Sequence, residues 1–441
     1  MRHLRLRQAG SAGGGPGSLA RRVPGHRMQG LLWAGVLGLA ACYPGPVDPV
    51  GIPHAPPPFV RAPYVQQVTE GSASILWMSQ PGSADTAWYR VPERDSAWTR
   101  TAVAEYRYGT RRTDLASLPP ASTVEYVVSA GGTRAGPSLF RTAPSEGAAG
   151  EDVRVLLFGD SGWGGPEQID LARRMERADW DLSIHVGDIA YNDGKEIEFT
   201  ERHFRVYARS LDSTPFYPSI GNHDVRADGG RSYDGAFLWP EPFPGARYYA
   251  FRWGRIQFVS LDTSSDTEDV RGLREGTGRQ LVWLEEVLRS ASADSAVDWI
   301  IAFQHHPLYS HAIGISGHGL EYDLRTQLLP LYERYGVDLV AAGHDHHYER
   351  TWPVRDGRRV TDGCGPVHVL SGGGGASRYA RDITATPLLA TAQRVYEYVE
   401  LTVGADRIRG RTIDRDGQVV DEFTVRRYDG TREGLPGPCS G

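Results

Sequence analysis

The sequence predicts an α/β fold of layered sheets preceded by a small all-β domain. Three observations lead there. A chain of 441 residues at 40% hydrophobic content can bury more than one core, so two domains are expected. Between Phe59 and Thr142, short runs of alternating polar and apolar residues are separated by turn residues. From Val153 onward, apolar runs of strand length alternate with amphipathic helical stretches, the pattern of sheets buried between helices.

Taken in order, the first 41 residues carry Arg2, Arg5, Arg7, Arg21, Arg22 and Arg27 and no acid. The apolar run Leu31–Ala41 is too short to span a bilayer and ends in Leu39-Ala40-Ala41-Cys42. That ending resembles the lipobox of bacterial lipoproteins, which implies that residues 1–41 are a signal peptide and that Cys42 carries a lipid. An ordinary secretory signal with an incidental cysteine is the alternative. Met28 is a second candidate start, and Arg21-Arg22 is a weak twin-arginine signal. Each of these signals leads out of the cytoplasm, so the expected location is the cell envelope, the periplasm or the medium. Residues 42–58, rich in Pro and Gly, are expected to form an extended linker holding the body off a membrane. In an oxidising compartment Cys364 and Cys439 form a candidate disulfide tying the 431–441 tail to the body; two free thiols are the alternative.

Residues 59–145 form the all-β domain, with strands expected at 74–77, 87–90, 123–128 and 139–142. Trp77 as a core residue and Leu118-Pro119-Pro120 leading to Tyr126 resemble a fibronectin type III domain, a fold that implies no chemistry by itself. Residues 151–430 form the α/β domain. Its strands are expected at 153–158, 182–186, 256–261, 299–303 and 337–342, its helices at 166–177, 279–290 and 324–335, and further strands at 367–370, 396–403 and 423–426.

Charge narrows the function. Without the N-terminal arginines, 42 basic residues face 54 acidic ones, a formal charge of −12 and no basic stripe for nucleic acid. Lys195 is the chain's single lysine, which argues against Schiff-base or phosphate-loop chemistry built on Lys.

The chemistry-bearing residues follow the strands. Asp160 stands in Gly159-Asp160-Ser161-Gly162, Asp188 and Tyr191 in Gly187-Asp188-Ile189-Ala190-Tyr191, and Asn222 in Gly221-Asn222-His223-Asp224. His305 follows the strand ending at Phe303, and His344 and His346 stand in Gly343-His344-Asp345-His346. Ligands of open α/β sheets bind at the carboxyl ends of strands, so the five segments should converge on one rim. Hard carboxylate and phenolate oxygens suit ferric iron; imidazole and amide oxygen suit divalent zinc, iron or manganese. Two metals are needed to use all seven groups, and a carboxylate can bridge them. Each motif alone is weak, since a Gly-Asp or Gly-His pair is commonly a turn. The ordered set of five is not.

This set resembles the five signature blocks of the purple acid phosphatases, within the calcineurin-like metallophosphoesterases. The resemblance runs from the β-sandwich near Pro63 to the C-terminal strands, and residues 343–351 and 364–367 look like the larger, plant-type branch. It implies a four-layer calcineurin-like β-sandwich flanked by helices. It also implies Fe(III) on Asp160, Tyr191 and His346, a divalent ion on Asn222, His305 and His344, and Asp188 bridging the two. Most calcineurin-like relatives use Asp-x-His in the first block; here position 162 is Gly and Tyr191 supplies the missing ligand. By the same resemblance His223 contacts phosphate with Asp224 holding its ring, and His318 in Ser316-Gly317-His318-Gly319 binds substrate or protonates the leaving group. His311 competes with His318 for that role, and His306 and His347 are expected to be structural.

The expected activity is therefore hydrolysis of a small phosphate monoester by a metal-activated water, an acid phosphatase reaction without a phosphoenzyme. A phosphodiesterase or nucleotidase on the same metals is the second reading. A non-catalytic surface-binding protein is the third. Substrate identity and oligomeric state are open at this level.

Overall fold

A computed structural model describes residues 45–148, 150–311, 321–378 and 383–427. Cys42, His318 and Cys439 lie outside the described residues.

The layering follows from the side-chain alternation of buried strands. Along Trp299–Phe303, Trp299, Ile301 and Phe303 enter one apolar cluster while Ile300 and Ala302 enter another. The first cluster also holds Val155, Leu156, Leu157 and Phe158 of a second sheet, so it fills the space between two sheets and continues on the far face of the second. The second holds Leu284 and Leu288 of the helix Gly278–Ala293 and Leu324 and Leu328 of Tyr322–Tyr335, so it lies between sheet and helices. Leu171, Ala172 and Met175 of the helix Pro166–Met175 join the first cluster. Helix, sheet, sheet and helix are the four layers expected from the sequence.

One sheet has six strands in the order Phe216–Pro218, Leu182–His185, Val153–Phe158, Glu397–Val403, Arg407–Asp414, Val419–Arg426. The other has seven, with Ile256–Ser260, Trp299–Phe303, Leu339–Ala342 and Val367–Ser371 running parallel. Glu397 ties the two sheets together: its carboxylate accepts from Ser371 Oγ at 3.0 Å and from Gly373 N–H at 3.1 Å.

Residues 59–141 form two four-stranded antiparallel sheets with Trp77 fully buried. They do not stand apart as a body of their own, because the described residues from 45 onward form one compact unit with a continuous apolar cluster. Buried hydroxyls and amides stitch the junction. Tyr64 Oη donates to the Ala236 carbonyl at 2.6 Å, Tyr126 Oη to Asp212 at 2.7 Å and Tyr217 Oη to Val68 at 2.8 Å. Gln66 Nε2 donates to Phe216 O while its Oε1 accepts from Leu238 N–H. A buried polar group must be paired, so these contacts fix the two parts against each other.

The described part of the expected linker forms neither helix nor strand and is not a free spacer. Pro49 is buried, Val47 N–H donates to Trp163 O at 2.9 Å, and Arg205 Nε donates to Ile52 O at 2.9 Å. Among the described residues no helix is long and apolar enough to cross a membrane. Cys364 is disulfide-bonded.

Candidate metal centre

The parallel strands deliver the candidate ligands from their carboxyl ends. Val153–Phe158 runs into Asp160, Leu182–His185 into Asp188 and Tyr191, and Phe216–Pro218 into Asn222. Trp299–Phe303 leads to His305, and Leu339–Ala342 to His344 and His346. Asp160 and Asp188 both have φ +55° and His344 has φ +74°. Left-handed backbone at a residue with a Cβ costs about 1–3 kcal/mol, so three ligand positions are held against their local preference.

All seven side chains meet, in two sets. Tyr191 Oη lies 3.1 Å from Asp160 Oδ1, 3.0 Å from Asp188 Oδ2 and 3.1 Å from His346 Nε2. Asn222 Oδ1 lies 3.0 Å from His305 Nε2 and 2.9 Å from His344 Nδ1. The other oxygen of Asp188, Oδ1, is 3.5 Å from His305 Nε2, so this carboxylate faces both sets. Donors about 2.0–2.2 Å from a central ion lie about 3 Å from one another, which is the spacing seen within each set.

The outer ring nitrogens support the same reading. His305 Nδ1 is 2.8 Å from Val186 O and His346 Nδ1 is 2.7 Å from Ser377 O. A carbonyl only accepts, so Nδ1 carries the proton and the Nε2 lone pair points into the cluster. Asp160 is 0% and Asp188 1% exposed, and no arginine or lysine of the described residues pairs with either. Burial opposes the charge on Asp188, yet the His305 and His223 imidazoles outweigh it and hold the carboxyl well below its usual range. Burial likewise opposes protonation of His305, but Asp188 and then Asp160 raise it to about 10. Two buried carboxylates, a phenol, an amide oxygen and three imidazoles fit two metal ions, four donors each with Asp188 counted twice.

Gly162 explains the form of the first block. A Cβ there would lie 1.8 Å from Ile189 O, so no histidine fits at that position. The same close approach lets Tyr191 N–H donate to Gly162 O at 3.1 Å, on the turn that brings the phenol in.

Residues 153–348 match the family model described as calcineurin-like phosphoesterase. Human acid phosphatase type 7 is 30% identical over 341 residues, covering 72% of this chain and 76% of that protein. A barley protein named nucleotide pyrophosphatase/phosphodiesterase is 26% identical, covering 66% and 87%. The chain belongs to the purple acid phosphatases of the calcineurin-like phosphoesterase superfamily. A purple acid phosphatase from yellow lupin seeds has the same fold, with a TM-score of 0.71 at 21% identity over 84% of this chain and 76% of that one.

Around the purple acid phosphatase centre, two expectations change. Asp224 does not hold the His223 ring. Its buried carboxylate accepts from the N–H groups of Ile189 (2.9 Å), Ala190 (3.0 Å) and Gly221 (2.9 Å), joining the Asp188 turn to the Asn222 turn. Burial and then the Asp188 charge push it up to about 8. The His223 ring is held instead by Asn192 O, 2.6 Å from Nδ1, which leaves Nε2 3.9 Å from Asp188 Oδ2. His311 is not a loop histidine open to substrate. Its Nδ1 is 2.8 Å from Glu349 and its Nε2 2.8 Å from Thr386 Oγ1, so both ring nitrogens are used. His318, its competitor, lies outside the described residues. His306 and His347 are buried against Thr263 and Glu349, as structural residues would be.

Sequence reasoning missed Glu349, which gathers His311 and His347, and Trp163, whose ring meets Tyr191 at 5.2 Å. The only signal for Glu349 was an acid inside a strand of buried residues.

The Asp224 geometry gives a test. Asp224→Ala removes the acceptor of three buried N–H groups and should cost metal occupancy at both positions, read by metal analysis. Asp224→Asn, which keeps one oxygen acceptor, should lose less; equal occupancy in all three proteins would contradict the role.

Proposed function

We propose that this chain is an exported acid phosphatase acting on small phosphate monoesters, with Fe(III) held by Asp160, Tyr191 and His346. Asn222, His305 and His344 hold a divalent zinc, iron or manganese ion, and Asp188 is shared. The observation that carries this reading is the Tyr191 phenol packed within 3.1 Å of Asp160, Asp188 and His346. Metals in these positions supply Lewis acidity: they lower the pKa of water and neutralise phosphate charge.

The chain's own residues supply position and a proton. Asp188 places its two oxygens between the two sets, and Asn222 places its amide oxygen against His305 and His344. His223, its Nδ1–H anchored on Asn192 O, presents Nε2 to the same space, where a protonated ring donates to a phosphate or leaving oxygen. His318 is the second candidate donor on the family resemblance. Burial lowers the His223 pKa, and although Asp188 and the Asn192 carbonyl raise it, the net position is below the usual imidazole value. The donor form therefore exists on the acid side and is lost as pH rises through that value, in keeping with an acid phosphatase.

The name of the barley relative favours keeping a diesterase as the second reading. A non-catalytic role is disfavoured because all seven donors are present and assembled. Export is supported by the disulfide-bonded Cys364 and by the Leu39–Cys42 signal, with Cys42 as the lipid attachment site. The 59–145 sandwich, fibronectin type III-like in this reading, has a supporting role.

Three measurements test these statements. The purified protein should show a visible tyrosinate-to-iron band that Tyr191→Phe abolishes, and should hydrolyse aryl monoesters at least tenfold faster than diesters; a colourless, iron-free active enzyme would refute the iron assignment. His223→Asn should slow alkyl phosphates by about 100-fold or more and p-nitrophenyl phosphate much less, and should shift the alkaline limb of the pH profile. Cys42→Ser should move the protein from the membrane fraction to the soluble one; unchanged fractionation would remove the lipid anchor.

A further inference from the structure

His185 ends the strand Leu182–His185, three residues before Asp188, and is fully buried. Its Nδ1 accepts from the Gly187 N–H at 3.2 Å, and its Nε2 lies 2.9 Å from Ser161 Oγ. A backbone N–H can only donate, so Nδ1 is unprotonated and Nε2–H donates to Ser161. Gly187 immediately precedes Asp188, and Ser161 immediately follows Asp160. Two backbone bonds already run between these turns, Asp160 N–H to Gly187 O at 3.0 Å and Ser161 N–H to Asp188 O at 3.1 Å. The imidazole adds a third connection, made by a side chain that reaches both.

The surroundings are aromatic and include the buried His203 ring at 6.2 Å. Phe158 meets the ring edge-on at 4.6 Å, and Phe216 lies at 5.7 Å. An aliphatic or aromatic residue would fill this space without the cost of burying two ring nitrogens, which the bonds to Ser161 and Gly187 offset. Burial, with His305 nearby, pushes the ring down to about 3, so it brings no charge to the centre. The turns it joins need holding, because Asp160 and Asp188 both sit at φ +55°.

We infer that His185 is a positioning residue: a neutral latch that sets the distance between Asp160 and Asp188, and so the affinity of the ion on the Tyr191 side. The inference rests on the two-metal reading above. It makes an asymmetric claim, because Asp160 and Asp188 both serve the Tyr191 set, whereas only Asp188 serves the set of Asn222, His305 and His344. Loss of the latch should weaken one ion far more than the other. Changes to groups that orient metal ligands typically cost 10–100-fold in metal affinity.

The test uses the full mature chain stripped of metal and titrated with zinc against a competing indicator and with ferric iron against a chelator of known affinity, in wild type, His185→Phe, Ser161→Ala and the double variant. Ser161→Ala cuts the latch with almost no change of volume, so the test survives if His185→Phe folds poorly. Wild type should bind two ions; if it does not, the two-metal reading fails before the latch is tested. Given two ions, each single variant should keep one at wild-type affinity and bind the other about 10–100-fold more weakly. Because both substitutions break one connection, the double variant should be no worse than His185→Phe alone. Unchanged affinity for both ions, equal weakening of both, or additive losses would overturn the latch.

Discussion

The structure is organised around two carboxylates that have been taken out of water and brought to one phenol. Asp160 and Asp188 are buried, face Tyr191 Oη from 3.1 and 3.0 Å, and have no arginine or lysine partner among the described residues. Anions in such a place are tolerable only where positive charge is close and geometry is fixed. Imidazoles supply part of that charge and metals fit the rest. Fixing the geometry falls to the remainder of the fold.

Each ligand-bearing turn is fastened to its neighbour by groups with no part in coordination. Backbone bonds clasp the Asp160 turn to the Asp188 turn, and His185 spans the same pair. Asp224 takes three N–H groups from the Asp188 and Asn222 turns, and Glu198 takes the N–H groups of Asn192 and Asp193 behind Tyr191. Farther out, the sandwich residue Gln66 pairs with Phe216 and Leu238, at the base of the strand that feeds Asn222. The small β-domain thus braces one of the five ligand segments through buried polar bonds, which gives its supporting role a physical meaning.

Much of this was legible in the sequence because it is local. An apolar run followed closely by a metal-binding side chain, after Gly in four of the five cases, states both a strand and what its end carries, and the five units arrived at one rim as parallel pairing requires. What escaped reading depends on partners far along the chain. Asp224 follows His223 in sequence, and adjacency suggested a pair, but the side chains diverge and the carboxylate turns to backbone 34 and 35 residues away. His311 stood as a candidate for the role of His318, and Glu349, 38 residues on, holds its ring instead. Residues 45–58 had the composition of a free linker, and composition carries no record of a carbonyl on Trp163 that accepts from Val47.

Gly162 shows how a single small residue decides the kind of centre. In a chain that brought a Cβ to this position, the Ile189 carbonyl would have to retreat from its 1.8 Å approach, and the Ile189–Tyr191 segment with it. With hydrogen there, the two turns close on each other, Tyr191 N–H reaches Gly162 O, and the phenol enters beside Asp160. An imidazole at position 162 and a phenol from position 191 are therefore alternatives of packing before they are alternatives of ligation. The glycine admits the tyrosine, and a phenolate in place of a neutral nitrogen adds one negative charge to that donor set. A set of two carboxylates, one phenolate and one imidazole carries three negative charges, which a trivalent ion balances and a divalent ion does not. The ferric ion proposed for the Tyr191 side would thus trace to the backbone approach between residues 162 and 189.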